Sequence, residues 1–135
     1  MPNCDKPLNI LLAEDDDGDA KAVQRSFLKA KIGNPIVRAV DGRDALDMIT
    51  ADPGAYDIVI SDHHMTVMNG LELVMKLREI KYKGMIAIVS SELNEDVADD
   101  YRKLGINHIL FKPVSLSDLR ALVLESDNYL AGARA

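Results

Sequence analysis

The sequence predicts an α/β fold in which five strand–helix units wind around one parallel sheet. Three observations lead there. Short runs rich in isoleucine and valine are spaced along the chain, helical patterns fill the intervals, and three of the runs are almost continuously apolar. Continuous apolarity belongs to strands covered on both faces. Strict alternation of strand and helix belongs to a parallel sheet with right-handed crossovers.

The elements follow in order. NILLA (9–13) reads as the first strand. DGDAKAVQRSFLKAKIG (17–33) is the first helix, with Val23, Phe27 and Ala30 on one stripe, Asp16 or Asp17 as its cap and Gly33 at its close. PIVRAV (35–40) is the second strand, and DGRDALDMITA (41–51) the second helix, turning Ala45, Leu46, Met48 and Ile49 inward. DIVIS (57–61) is the third strand. GLELVMKLREI (70–80) follows as a helix with Leu73, Leu77 and Ile80 at helical spacing, and Gly84 ends the connection. MIAIVS (85–90) is the fourth strand, and NEDVADDYRKLG (94–105) a helix offering Val97, Tyr101 and Leu104 before a stop at Gly105. HILF (108–111) is the fifth strand. SLSDLRALVLESDNYL (115–130) begins at Ser115 or Ser117 and buries Leu119, Leu122 and Val123.

Size and charge set the outer bounds. The 135 residues suit one domain, because units of roughly 25 residues leave no room for a second. A hydrophobic fraction of 47% beside a charged fraction of 28% is the balance of an ordinary soluble chain. The net charge of -6 argues against a nucleic-acid face, which needs a basic footprint. Cys4 is the only cysteine, so no internal disulfide forms, and a cytoplasmic setting is expected. MPNCDKPLNI has no long apolar stretch, so neither a signal peptide nor a membrane span is expected.

In open parallel sheets, functional groups gather beyond the C-terminal ends of the strands. Glu14, Asp15, Asp16 and Asp17 follow the first strand, Asp62 the third, and Lys112-Pro113 the fifth, while Ser90 and Ser91 end the fourth. Each alone has a plain reading as a solvated turn, a helix cap or an exposed lysine. Their joint occurrence at equivalent positions favours a site. Several carboxylates at one rim repel one another unless a cation sits among them. Hard oxygen ligands point to magnesium or a similar ion. A divalent ion and a lysine beside a carboxylate suit a phosphoryl group, with the carboxylate as nucleophile and an aspartyl phosphate as product. The adjacent His63 and His64 do not suit a metal, because neighbouring side chains point apart and only His108 and Cys4 remain as soft ligands.

The set Glu14-Asp15, Asp62, Ser90 and Lys112-Pro113 on five strand–helix units resembles the receiver domain of two-component response regulators, from Leu8 to about Leu130. In detail, EDDDGDAKAVQRSF and NPIVRAVDGRDAL look like the small single-domain, chemotaxis-like regulators associated with phytochrome kinases. The resemblance implies a doubly wound, flavodoxin-like (βα)5 sheet of strand order 2-1-3-4-5 forming one receiver domain over residues 1–135. It implies that Asp62 takes a phosphoryl group from a histidine kinase or a histidine phosphotransfer protein. Glu14 and Asp15 would hold Mg²⁺, with Mn²⁺ as a substitute and Glu14 acting through water. Asp62 and the backbone carbonyl of His64 would complete the protein ligands. Ser90 would donate its hydroxyl to the phosphoryl group, Lys112 would pair with it, and the Lys112-Pro113 bond would be cis.

By the same resemblance, His64 and Glu92 flank the path of water in a slow autodephosphorylation, and the chain is not a conventional enzyme. With no output segment after residue 130, signalling to a downstream protein is expected through the fourth helix, fifth strand and fifth helix. Homodimerisation is compatible with that surface, and no nucleic-acid or membrane partner is expected. Gly70 suits the tight turn into the third helix. Two positions depart from the family pattern. Thr66 stands where proline is usual, which restores a backbone donor and a free φ and should loosen the loop. Ile109 stands where an aromatic residue usually swings with the hydroxyl, so an aromatic switch is not expected there.

Three rival readings share parts of this pattern. Asp62, His64 and Thr66 echo the D-x-D-x-T motif of aspartate-nucleophile phosphatases, but His64 replaces the usual general acid. A flavodoxin-like cofactor carrier needs a donor-rich phosphate loop after the first strand, where this chain places four acids. A receiver-shaped module that is never phosphorylated should lack an acid, Asp62 or Lys112, and all are present.

Overall fold

The apolar runs pair as one parallel sheet. In the computed structural model, which describes residues 8–30, 33, 35–106 and 108–134 (the last eight by backbone alone), the strands are β1 (Ile10–Ala13), β2 (Ile36–Ala39), β3 (Ile58–Asp62), β4 (Met85–Ser90) and β5 (His108–Phe111). Their order is β2-β1-β3-β4-β5, as expected. The helices are α1 (Asp17–Lys29), α2 (Gly42–Ala51), α3 (Gly70–Glu79), α4 (Glu95–Lys103) and α5 (Leu116–Arg134). Cys4 lies outside the described residues.

Alternation along each strand sorts the core onto two faces. Ile10 and Leu12 pack with Val23 and Phe27 of α1 and with Leu119 and Leu122 of α5. Leu11 and Ala13 pack with Ala45 and Ile49 of α2, Leu73 and Leu77 of α3, and Tyr101 of α4. Both faces of the sheet are therefore covered, which is why the central strands carry no polar alternation. Ala13 stands opposite Ala39 and Ser61, and Asp62 opposite Val89. Ser90 stands opposite Phe111. This register brings the strand ends to one rim.

Element ends differ from the expectations at several points. Asp16, not Asp17, caps α1, its carboxylate accepting the Asp19 N–H at 2.8 Å. That helix closes at Ala30, ahead of the expected Gly33, because the Ala30 N–H reaches the carbonyls of both Ser26 and Leu28 and tightens the last turn. Asp62 is the last residue of β3, not a residue beyond it. Ile80, at helical spacing with Leu73 and Leu77, is 43% exposed and lies outside the buried stripe. It caps α3, and the buried stripe is Leu73, Val74 and Leu77. Ser115 is the residue that caps α5, accepting the Asp118 N–H at 3.1 Å, and the helix runs past residue 130 to Arg134. Gly105 has φ +85°, the left-handed turn that glycine allows after α4.

Candidate functional site

Glu14 follows β1 directly, and its N–H continues the ladder to the Ala39 carbonyl at 3.1 Å. That fixes the backbone, and Arg38 of β2 clamps it further. The Arg38 guanidinium donates to the Glu14 carbonyl through Nε at 3.0 Å and Nη2 at 2.8 Å. Its Nη1 holds Asp17 at 2.6 Å, which pulls Asp17 away from the rim and lowers its carboxyl pKa. Of the four acids after β1, Asp16 is taken by the helix cap and Asp17 by Arg38, leaving Glu14 and Asp15 for the site.

Glu14, Asp15 and Asp62 converge, each offering a carboxylate oxygen within 4.8 Å of the others. Lys112, the first residue after β5, closes the group. Its Nζ donates to Glu14 Oε1 at 2.8 Å and lies 3.5 Å from Asp62 Oδ2. A third acid, Asp19 of α1, accepts from the same Nζ at 2.8 Å. Asp19 was not singled out in the sequence; its place one turn into α1, two residues beyond Asp17, was the available signal. Burial pushes the Glu14 carboxyl above its ordinary value, the Asp62 charge adds to this, and the Lys112 bond opposes it. Burial disfavours the Lys112 ammonium, but Asp19, Glu14 and Asp62 outweigh it and raise its pKa above the ordinary lysine value. The Lys112-Pro113 peptide is cis.

Around this centre the other expected residues take different positions. Ser90 is fully buried at the end of β4, and its hydroxyl donates to the Glu92 carbonyl at 2.7 Å. His64 and Glu92 line a common cavity of about 350 Å³ with His63, Leu93, Asn94 and Val97. Ile109 is half-buried against the apolar cluster under α2, α3 and α4. Gly70 is required where it stands, because a Cβ there would lie 2.6 Å from the Asp62 carbonyl and 2.7 Å from the Tyr101 hydroxyl.

The Thr66 expectation is corrected. The restored N–H does not loosen the loop. It donates to Asp15 Oδ2 at 2.9 Å, with the hydroxyl at 3.4 Å from the same oxygen. Thr66 thus faces Asp15. His63 and Tyr101 form a further contact not foreseen as functional, with the Tyr101 hydroxyl 2.6 Å from His63 Nδ1. The sequence places Tyr101 only in the core, since helical spacing reports the ring and not its polar end.

The donor set of three carboxylates suits a small hard cation with oxygen ligands at about 2.1 Å, some of them water. Among the described residues no helix is long and apolar enough to cross a membrane.

Comparison with known proteins places this arrangement. The model of the response regulator receiver domain matches residues 10–124. Two-component response regulator 24 of Arabidopsis thaliana is 27% identical over 131 residues, covering 96% of this chain and 92% of that protein. The aerobic respiration control sensor protein ArcB of Escherichia coli K12 is 32% identical over 121 residues, 86% of this chain but only 15% of ArcB. A response regulator receiver domain protein from Clostridium thermocellum superposes with a TM-score of 0.80 at 22% identity, covering 90% of this chain and 94% of that one, a likeness of fold. Receiver domains bind Mg²⁺ at an acidic pocket and interact with histidine kinases or phosphotransfer proteins. A match over this much of the chain decides the family: the protein belongs to the receiver domains of two-component response regulators, the phosphoacceptor partners in that signalling system.

Proposed function

We propose that Asp62 is the phosphoacceptor, and that Glu14, Asp15, Asp62 and the His64 backbone carbonyl hold Mg²⁺, or Mn²⁺ in its place. The observation that carries this reading is the convergence of three carboxylates on Lys112 Nζ at the C-terminal rim. An Asp62 oxygen attacks the phosphorus of a phosphohistidine on the partner. The new O–P bond forms as the N–P bond breaks, and the imidazole leaves with the bonding electron pair. When bound by these residues, magnesium would supply positive charge that offsets the phosphoryl oxygens. Lys112, just beyond the end of β5, contributes a second positive charge, and Ser90 turns from the Glu92 carbonyl to a phosphoryl oxygen afterwards. Water returns the group to phosphate along a path bordered by His64 and Glu92.

In this reading the chain acts as one receiver domain with its core over about residues 8–130. Output passes by protein contact across α4, β5 and α5, a surface supported by the exposed Phe111 and Leu124, and a second copy or a downstream protein is the binding partner. The test is incubation with acetyl phosphate and Mg²⁺, read by intact mass. The wild type should gain one phosphoryl group and Asp62→Asn none; an equal gain in both would remove Asp62 from the role. Phosphotransfer profiling against histidine kinases of the source organism then identifies the donor.

A further inference from the structure

Tyr101 is fully buried on α4, yet it carries a polar end toward the site. Its hydroxyl lies 2.6 Å from His63 Nδ1, with the rings 5.6 Å apart and nearly perpendicular. That hydroxyl occupies space left open by Gly70, where a Cβ would lie 2.7 Å from it. His63 is the residue directly after Asp62. Its main chain is held on two sides, by its N–H to the Val89 carbonyl at 3.3 Å and by its carbonyl from the Gly70 N–H at 3.0 Å. The backbone of His63 therefore moves with the Asp62 strand end, while its ring is bonded to α4.

We infer that Tyr101, through its hydrogen bond to His63, couples the state of Asp62 to α4. The inference rests on Asp62 being the phosphoacceptor. Asn94 caps the start of α4, immediately after the loop whose Glu92 carbonyl holds the Ser90 hydroxyl. Turning Ser90 toward a phosphoryl group releases that carbonyl and frees the entry to α4. The last turn of the helix stays pinned to His63 by Tyr101, so a displacement at residues 62–63 is passed to a helix whose N-terminal tether has been loosened. Ile109 packs in the same apolar cluster and has no polar atom with which to make such a link. Tyr101 thus supplies, from α4, an aromatic connection that position 109 does not provide.

The experiment compares the full chain as wild type, Tyr101→Phe and His63→Leu, with and without acetyl phosphate and Mg²⁺. Intact mass reports phosphorylation, and amide NMR shifts report residues 95–103 of α4 and the neighbours of Asp62. Tyr101→Phe keeps the ring in the core and removes only the hydroxyl; His63→Leu removes the same bond from the other side. All three proteins should gain one phosphoryl group and show shifts beside Asp62. The α4 shifts of the wild type should be mostly lost in both variants. Full α4 shifts in either phosphorylated variant would overturn the coupling while leaving Asp62 as acceptor. Absence of the mass gain in the wild type would overturn the reading of Asp62, and the coupling with it.

Discussion

His63 and His64 are neighbours in different surroundings, the first half-buried and bonded to Tyr101, the second exposed. The lifetime of the phosphorylated form should depend on His64 and Glu92, which share the cavity beside the strand end. Attack on phosphorus must come in line, and a tenfold change in rate needs only about 1.4 kcal/mol. His64→Ala should therefore change the decay rate several-fold while leaving phosphorylation competent, as followed by loss of the phosphoryl mass over time. An unchanged decay rate would reduce His64 to its carbonyl. His63 offers a test by pH. Burial lowers its pKa, the His64 charge lowers it further, and Asp62 opposes both. The folded state then binds fewer protons than the unfolded chain between the lowered value and the ordinary value of about 6.5. Stability should rise with pH through that window, and be lost as pH falls through it. Melting temperatures of the wild type should fall from pH 7 to below 6 more steeply than those of His63→Gln; parallel curves would show that His63 does not contribute.

At the scale of elements, the loop between β3 and α3 joins two parts of the rim. Thr66 binds Asp15 from its backbone N–H, and Val67, the next residue, has φ +68°. The Met68 N–H reaches back to the Thr66 carbonyl at 2.7 Å, a γ-turn in its strained form, which for a β-branched residue costs on the order of 1–3 kcal/mol. The α3 capping box of Asn69 and Glu72 anchors the far side. Affinity changes only through what differs between the free and the Mg²⁺-bound protein; holding the Asp15 carboxylate in place for the ion is such a difference, and about 1.4 kcal/mol of it is tenfold in binding. Thr66→Pro should thus weaken Mg²⁺ binding roughly tenfold by calorimetric titration, whereas Thr66→Ala, which keeps the N–H, should bind nearly as well as wild type. Equal affinities in all three would mean that the tie to Asp15 is incidental. Such a tie is invisible in a sequence, because it joins residues 51 apart through a backbone atom. The strands were legible because continuous Ile and Val runs have few other uses, and Glu14, Asp15, Asp62 and Lys112 because strand ends share one rim. Ile80 keeps the helical spacing yet is exposed, because spacing does not say where the helix stops. Asp19 and Arg38 were missed because their partners lie on other elements.

Across the whole molecule, Lys112 binds the last strand to the first strand end and to α1, through Glu14 98 residues away and Asp19 93 residues away. Lys112→Met would leave the buried Glu14 carboxylate facing Asp62 without its cation. Breaking a pair of this kind costs about 3 kcal/mol. The sign with pH is set by Glu14, whose pKa is already raised by burial. Its folded state takes up a proton at higher pH than the unfolded chain, so stability falls as pH rises from the ordinary glutamate value through the raised one. The deficit of Lys112→Met in chemical denaturation should therefore be largest at neutral pH, smaller near pH 4.5, and reduced by added Mg²⁺. A deficit independent of pH and Mg²⁺ would mean that the lysine matters only through packing. The central claim is that the rim forms an aspartyl phosphate at one residue. An acyl phosphate is reduced by borohydride to the alcohol, which converts an aspartate to homoserine, so peptide mapping after acetyl phosphate, Mg²⁺ and borohydride locates it directly. Homoserine should appear at position 62 alone; homoserine at position 15, 16 or 17, or none in a protein that has gained phosphoryl mass, would contradict the account.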